Sequence, residues 1–169
     1  MAHMRLRGDW SRFGLAVALA VLFFDQAHKW WMLRVYDIPA RGAVEITPFF
    51  DLVLVWNRGI SYGLFQQNGD LGRWLLILFS AAAIIFLVFW LARAQASFAA
   101  LALGLVIGGA ASNLLDRLIH GAVADFFHFH AYGYSWYVFN FADAAIVAGV
   151  AGLLYDSFLG RHKSAPKGN

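Results

Sequence analysis

The chain has 169 residues, of which 61% are hydrophobic and 14% charged, with a formal net charge of +3 and a mean hydropathy of +0.61. Soluble domains carry about 25% charged residues, so this composition excludes an ordinary soluble globule and predicts one compact integral-membrane unit. The lack of cysteine excludes disulfides, thiolate metal sites and a cysteine nucleophile, and the basic residues form no aromatic-interleaved stripe for nucleic acid.

Met1-Ala2-His3-Met4 reads as a cloning scar, and residues 5–160 as a single membrane domain. A bilayer core about 30 Å thick needs roughly 20 mainly apolar residues per helix. Four segments qualify, at about 13–33, 72–91, 98–119 and 137–158. The first follows Arg5, Arg7 and Arg12 as a signal peptide would, but Asp25-Gln26-Ala27-His28-Lys29 is no small-residue cleavage site, so it reads as an uncleaved anchor. Between the first two spans, the loop 34–71 holds β-branched and aromatic runs at Val44-Glu45-Ile46-Thr47 and from Phe49 to Trp56. They predict short strands, separated by Pro48 and ending at a turn around Asn57-Arg58-Gly59. A second non-spanning stretch, His120 to Trp136, joins spans three and four. Residues 161–169 are expected to be a cytoplasmic tail, disordered from Lys163 to Asn169. The predicted architecture is an all-α four-helix transmembrane bundle with a small extracytoplasmic β-rich loop domain.

Orientation follows the positive-inside rule. Arg5, Arg7 and Arg12, then Arg93, then Arg161, Lys163 and Lys167 fall on one side of a four-span chain. Both termini are therefore expected in the cytoplasm. Arg34, Arg41, Arg58 and Arg73 oppose the rule, but they lie in a long loop that looks folded.

With that orientation the polar residues reach one depth. Asp25 and Lys29 lie in the outer half of span one, and Asn113, Asp116 and Arg117 at the outer end of span three. Asn140 and Asp143 open span four, and Asn57 and Asp125 lie in the outer loops. Gly109, Asn113 and Asp116 share one helical face, and Gly104, Gly108 and Ser112 a neighbouring one suited to close helix approach. Asp25 and Lys29 stand at a favourable acid-before-base spacing of four.

Several of these residues have structural readings. Asp25 with Lys29 fits a buried ion pair, and Asp116 and Arg117 fit partners for neighbouring loops. Asn57 and Gly59 fit either a turn or a substrate contact. His128 and His130, two apart, face one way on a strand and could serve as metal ligands. With no second carboxylate–histidine pair apparent, no metal is assigned. Asp125 and Asp143 differ: each is flanked by aromatics and each comes to the same membrane edge, where a carboxylate is expensive to keep. They suggest an acid/base pair sharing one proton. Three other readings remain: a four-span proton-coupled transporter with these aspartates as relay, an assembly module using the small-residue stripe, and a Ser-Lys pair of Ser61 or Ser112 with Lys29.

Four blocks together resemble the bacterial lipoprotein signal peptidases, or type II signal peptidases. They are Asp25-Gln26-Ala27-His28-Lys29; Asn57-Arg58-Gly59-Ile60-Ser61-Tyr62-Gly63; Gly108-Gly109-Ala110-Ala111-Ser112-Asn113-Leu114-Leu115-Asp116-Arg117; and Val123-Ala124-Asp125-Phe126 through Phe139-Asn140-Phe141-Ala142-Asp143. The second block departs from the family at Arg58, Ile60, Ser61 and Tyr62, and Tyr137 replaces a common proline.

The resemblance implies an aspartic endopeptidase of the bacterial inner membrane, with its active site near the periplasmic face. It implies removal of signal peptides from prolipoproteins, just before a diacylglyceryl-modified cysteine. Asp125 and Asp143 match the catalytic positions. Asn57, Gly59, Asn113, Arg117 and Asn140 match substrate-binding positions, while Asp25, Lys29, Gly109, Asp116 and Ala142 match supporting ones. It further implies no cofactor, a monomer embedded in membrane lipid, and sensitivity to globomycin-type inhibitors.

Overall fold

Among the described residues every long helix packs against α4 (Ser97–His120), and close approaches at four glycines explain how α1 and α5 do so. These relations come from a computed structural model that describes residues 8–59 and 70–160. The expected scar at 1–4, Arg5, Arg7, Ser61, Tyr62, Gly63 and the basic tail 161–169 lie outside the described residues.

The order of elements is α1 (Ser11–Arg34), α2 (Ile38–Arg41), β1 (Val44–Thr47), β2 (Phe50–Asn57), α3 (Asp70–Leu91), α4, β3 (Val123–Ala131), β4 (Tyr134–Ser135) and α5 (Phe141–Gly160). On α4, a side chain at Gly104 would stand 2.5 Å from the Gly14 carbonyl of α1, and one at Gly108 2.5 Å from the Ala18 carbonyl. The small-residue stripe is thus the seat of α1. Gly109, one position round, meets the Ala142 carbonyl at the start of α5. Gly149 of α5 returns the contact against Ala102, at 2.6 Å. Without a water-driven hydrophobic force between helices in lipid, backbone approach of this kind is how they associate.

Among the described residues three helices, α3 to α5, are long and apolar enough to cross a membrane. In those spans 56% of α4 is buried, against 17% of α3 and 11% of α5, so α4 is the central helix and the others turn broad apolar faces outward. Their outer faces carry Leu71, Leu78, Phe79, Phe86, Phe89 and Phe158, all more than half exposed. Helix α1 has 24 residues, about 36 Å, but its C-terminal half contains Asp25, Gln26, His28 and Lys29. Gly8 donates to the Ala92 carbonyl, so the start of α1 lies at the α3–α4 turn. Phe98 meets Tyr155 edge-on, which brings the last turns of α5 to the same end.

The opposite end carries the sheet. Its order is β1-β2-β3-β4, antiparallel throughout. β1 and β2 occupy the two predicted strand segments. β3 arises from the stretch between spans three and four, where Gly121 (φ 77°) ends α4 in the left-handed conformation. Helix α5 begins at Phe141 rather than near 137. Phe139 instead pairs with Phe127 of β3, and Asn140 caps the helix. Two cores result: one between the helices around Leu91, Leu103 and Ile107, and one beneath the sheet around Met32, Ile38 and Phe126.

A methyl group at Gly108 has nowhere to go, because it would meet the Ala18 backbone and the Val21 Cβ of α1. We expect Gly108→Ala to destabilise the protein by roughly 1–3 kcal/mol, the usual range for overpacking, read as a lowered melting temperature in detergent. Gly42→Ala, where added atoms meet nothing within 4 Å, is the spatial control, though its φ of 71° carries some strain of its own.

Candidate active site

One ammonium anchors the polar end of the bundle. Lys29 of α1 lies 2.8 Å from Asp25 and 2.8 Å from Asp116, and all three are buried. Its Nζ also donates to Asn113 Oδ1 at 3.2 Å. Two carboxylates against one ammonium leave negative charge to satisfy, and each carboxylate takes two further donors. Asp25 accepts from Ser112 Oγ (2.5 Å) and from the Ala142 amide (2.9 Å). Asp116 accepts from Gln26 (2.8 Å) and from the Ala124 amide (3.1 Å). Asp25 thereby holds the first turn of α5, and Asp116 holds the start of β3.

Those two elements carry Asp143 and Asp125. Asn140 and Asp143 form a reciprocal cap at the head of α5: the Asp143 amide donates to Asn140 Oδ1 (2.9 Å), and the Asn140 amide donates to Asp143 Oδ2 (3.2 Å). The Asn140 side-chain amide then reaches across to Asp125 Oδ1 at 2.6 Å. Asn140 therefore touches both aspartates. Asn113 donates to Asp143 Oδ1 at 2.8 Å, and Asn57 donates to Asp125 Oδ2 at 3.1 Å. The same Asn57 accepts from the Gly59 amide, so the turn and the contact with Asp125 are one arrangement. Arg117 donates to the Gly59 carbonyl at 3.0 Å, fixing that turn over the site.

Asp125 is 1% exposed. Its carboxyl is pushed up to about 7, first by burial and next by the charge of Asp143; Asn57 and Asn140 oppose the shift. Asp143 lies on the wall of a cavity of about 320 Å³ between α3, α4 and α5, together with Asn57, Asn113 and Arg117. Leu76 and Phe79 supply its apolar side. A buried carboxyl whose pKa is raised, beside a second one on a cavity wall, can hold and activate a water molecule.

The structure thus brings together Asp25, Lys29, Asn57, Gly59, Asn113, Asp116, Arg117, Asp125, Asn140, Ala142 and Asp143, while Gly109 admits the α5 backbone. Ser112 donates to Asp25 and accepts from Gln26, and Lys29 is held by two carboxylates, an arrangement unlike a Ser-Lys nucleophile. His120 lies tilted against Trp56, their ring centroids 5.2 Å apart. Gln26 is a supporting residue that sequence reasoning did not single out, although its place one residue after Asp25 put it on a neighbouring face.

A family model described as signal peptidase (SPase) II matches residues 17–159. The lipoprotein signal peptidase of Nitrobacter hamburgensis is 55% identical over 152 residues, covering 88% of this chain and 93% of that protein. That of Methylobacterium sp. (strain 4-46) is 56% identical over 144 residues, covering 85% and 87%. A bacterial membrane enzyme solved by the in meso method at 2.3 Å resolution superposes with a TM-score of 0.81 at 23% identity, over 99% of each chain, and so shows the same fold.

Lys29→Met would leave two buried carboxylates without a cation. Breaking such a buried pair costs about 3–5 kcal/mol, so we expect a large loss of thermal stability in detergent. Replacing exposed Arg93 by Met should leave the melting temperature close to that of the parent.

Proposed function

Because the chain belongs to the signal peptidase II family, and is a peptidase, we propose that it removes signal peptides from bacterial prolipoproteins, cutting before a diacylglyceryl-modified cysteine. The observation that carries the chemistry is the Asp125–Asp143 pair bridged by Asn140 at the edge of the cavity. The proposed reaction is direct hydrolysis. The ionised member of the pair takes a proton from a held water, whose oxygen bonds to the scissile carbonyl carbon. The protonated member hydrogen-bonds to the carbonyl oxygen as charge develops. The carbon–nitrogen bond then breaks and the leaving amine takes the proton. The pair titrates as a unit, with one proton shared between its members.

The proposed topology has four spans, α1 included, since Asp25 and Lys29 neutralise each other inside the bundle. The end that gathers Arg12, Arg93 and the close of α5 is read as cytoplasmic, with both termini there, and the sheet and site as periplasmic. Two of the basic residues that oppose the charge rule have local contacts that explain their position. Arg73 donates to the Arg117 and Leu118 carbonyls at the end of α4, and Arg41 donates to the Tyr36 carbonyl and lies over its ring. A transporter reading lacks support: its polar groups would be expected near the midplane, and here they converge at one end.

The decisive assay is cleavage of a diacylglyceryl-modified prolipoprotein by purified protein. Asp125→Asn and Asp143→Asn are each expected to lose activity by about 10²–10⁴-fold or more, with melting temperature and EDTA treatment showing that fold and metal are not the cause. Full activity in either variant would reject the pair. The pH profile adds a sign. A carboxyl raised to about 7 keeps its proton below that pH and loses it above, so kcat/KM should fall as pH rises through about 7.

A further inference from the structure

The sheet carries a second cluster of titratable groups, at the part of β2 and β3 beyond Asp125. In the β2–β3 register Asp51 stands opposite His128. His130, two residues along β3, presents its ring to the same side, and the two imidazoles lie 5.2 Å apart. Both converge on a single oxygen: Asp51 Oδ2 is 3.3 Å from His128 Nδ1 and 2.9 Å from His130 Nε2. The ligand atoms of all three lie within 4.8 Å of one another.

The polar groups around them leave one ligand nitrogen unpartnered. His130 Nε2 is buried and, despite its 2.9 Å approach to Asp51, is not aligned for a hydrogen bond with it or any other group among the described residues. His128 Nδ1 lies 3.3 Å from Asp51 Oδ2 and its Nε2 2.6 Å from Ser135 Oγ, which donates to the Trp136 carbonyl at 3.3 Å. In the tautomer with the proton on Nε2, Ser135 accepts it and Nδ1 is free to ligate. A second hydrogen bond that fixes the far nitrogen of a ligating imidazole is the usual companion of a metal site.

We propose that Asp51, His128 and His130 bind one divalent transition-metal ion of the zinc type. Imidazole nitrogen with a single carboxylate suits zinc, and three protein ligands leave a fourth position for water. Zinc held at about 2.0–2.1 Å by nitrogen and oxygen sets neighbouring ligand atoms about 3.3 Å apart. The 3.3 Å separation matches, the 2.9 Å one has only to open slightly, and the wider nitrogen–nitrogen separation closes by rotating two partly exposed rings. The ion would join β2 to β3, with β4 tied in through Ser135. The β2–β3 ladder is irregular between Leu52 and Val55, so such a link fixes the register beyond the irregularity, in the strands that deliver Asn57 and Asp125.

The test uses the full chain without an affinity tag, purified in detergent, stripped with a chelator and titrated with Zn²⁺ against a chromophoric competitor. The expected result is one ion per chain with low-micromolar or tighter affinity, and a Co²⁺ visible spectrum of low-coordinate nitrogen and oxygen ligation. His130→Gln and Asp51→Asn should each weaken binding by at least about tenfold, while His120→Gln, outside the cluster, should not. Circular dichroism and prolipoprotein cleavage by the stripped variants show whether they are folded. Absence of saturable binding to the parent chain would overturn the proposal and assign the cluster to a protonated histidine–aspartate contact. Equal affinity in folded variants would overturn it too, placing the ion elsewhere.

Discussion

A charged side chain inside an apolar bundle must be neutralised and hydrogen-bonded, and the rest of this structure follows from how Lys29 meets that demand. One ammonium cannot offset both Asp25 and Asp116, so four more donors are drawn in: a hydroxyl, an amide side chain and two backbone N–H groups. Those backbone groups belong to α5 and β3, the elements that present Asp143 and Asp125. Charge balance in the supporting layer thereby sets the position of the proposed reacting layer. The glycine stripe on α4 makes the arrangement possible, because α1 has to approach closely for Lys29 and Asp25 to reach across.

The two proposed catalytic aspartates reach the site by different local logic. Asp143 is held as the third residue of a helix, in a reciprocal cap of the kind common in globular proteins. Asp125 comes from a strand, where alternation turns it from the hydrophobic layer toward the helices. Asn140 joins them because it ends one segment and begins the other. Its side-chain oxygen serves the helix, and its side-chain nitrogen serves Asp125. A cap fixed on both sides in this way has little freedom to rotate, which keeps the carboxylates preorganised.

Much of this was readable from residue order. Apolar runs located α3, α4 and most of α5, and the spacing of Gly104, Gly108 and Ser112 predicted a close helix contact without naming its partner. The placement of polar groups at one end followed from counting spans. What escaped was whatever depends on strand register. The β3 segment is rich in aromatics and histidine, and nothing in its local pattern tells that Phe127 will pair with Phe139 or that Asp51 will stand opposite His128 across 77 residues of chain. For the same reason the histidines looked unaccompanied in the sequence: their carboxylate arrives through a ladder. The expected start of α5, near 137, falls too early because Tyr137 to Phe139 are as apolar as the helix that begins at Phe141, and only the Asn140 cap marks the boundary.

The position of the pair also suits the proposed chemistry better than deeper burial would. Hydrolysis needs water, while a lipidated substrate keeps its acyl chains in hydrocarbon. Only the boundary between the two supplies both. Asp125 stands on the sheet beyond the helices, and Asp143 in the first turn of an apolar helix, on the wall of a cavity whose other side is Leu76 and Phe79. A cavity with one polar and one apolar wall can hold a peptide carbonyl against the aspartates while the lipid lies along α3. Were the same two carboxylates placed at mid-bundle, desolvation would raise both and water would be scarce; placed wholly outside, neither would be raised and no proton would be shared at neutral pH. The fold resolves this by making the strand and the helix cap meet at the edge.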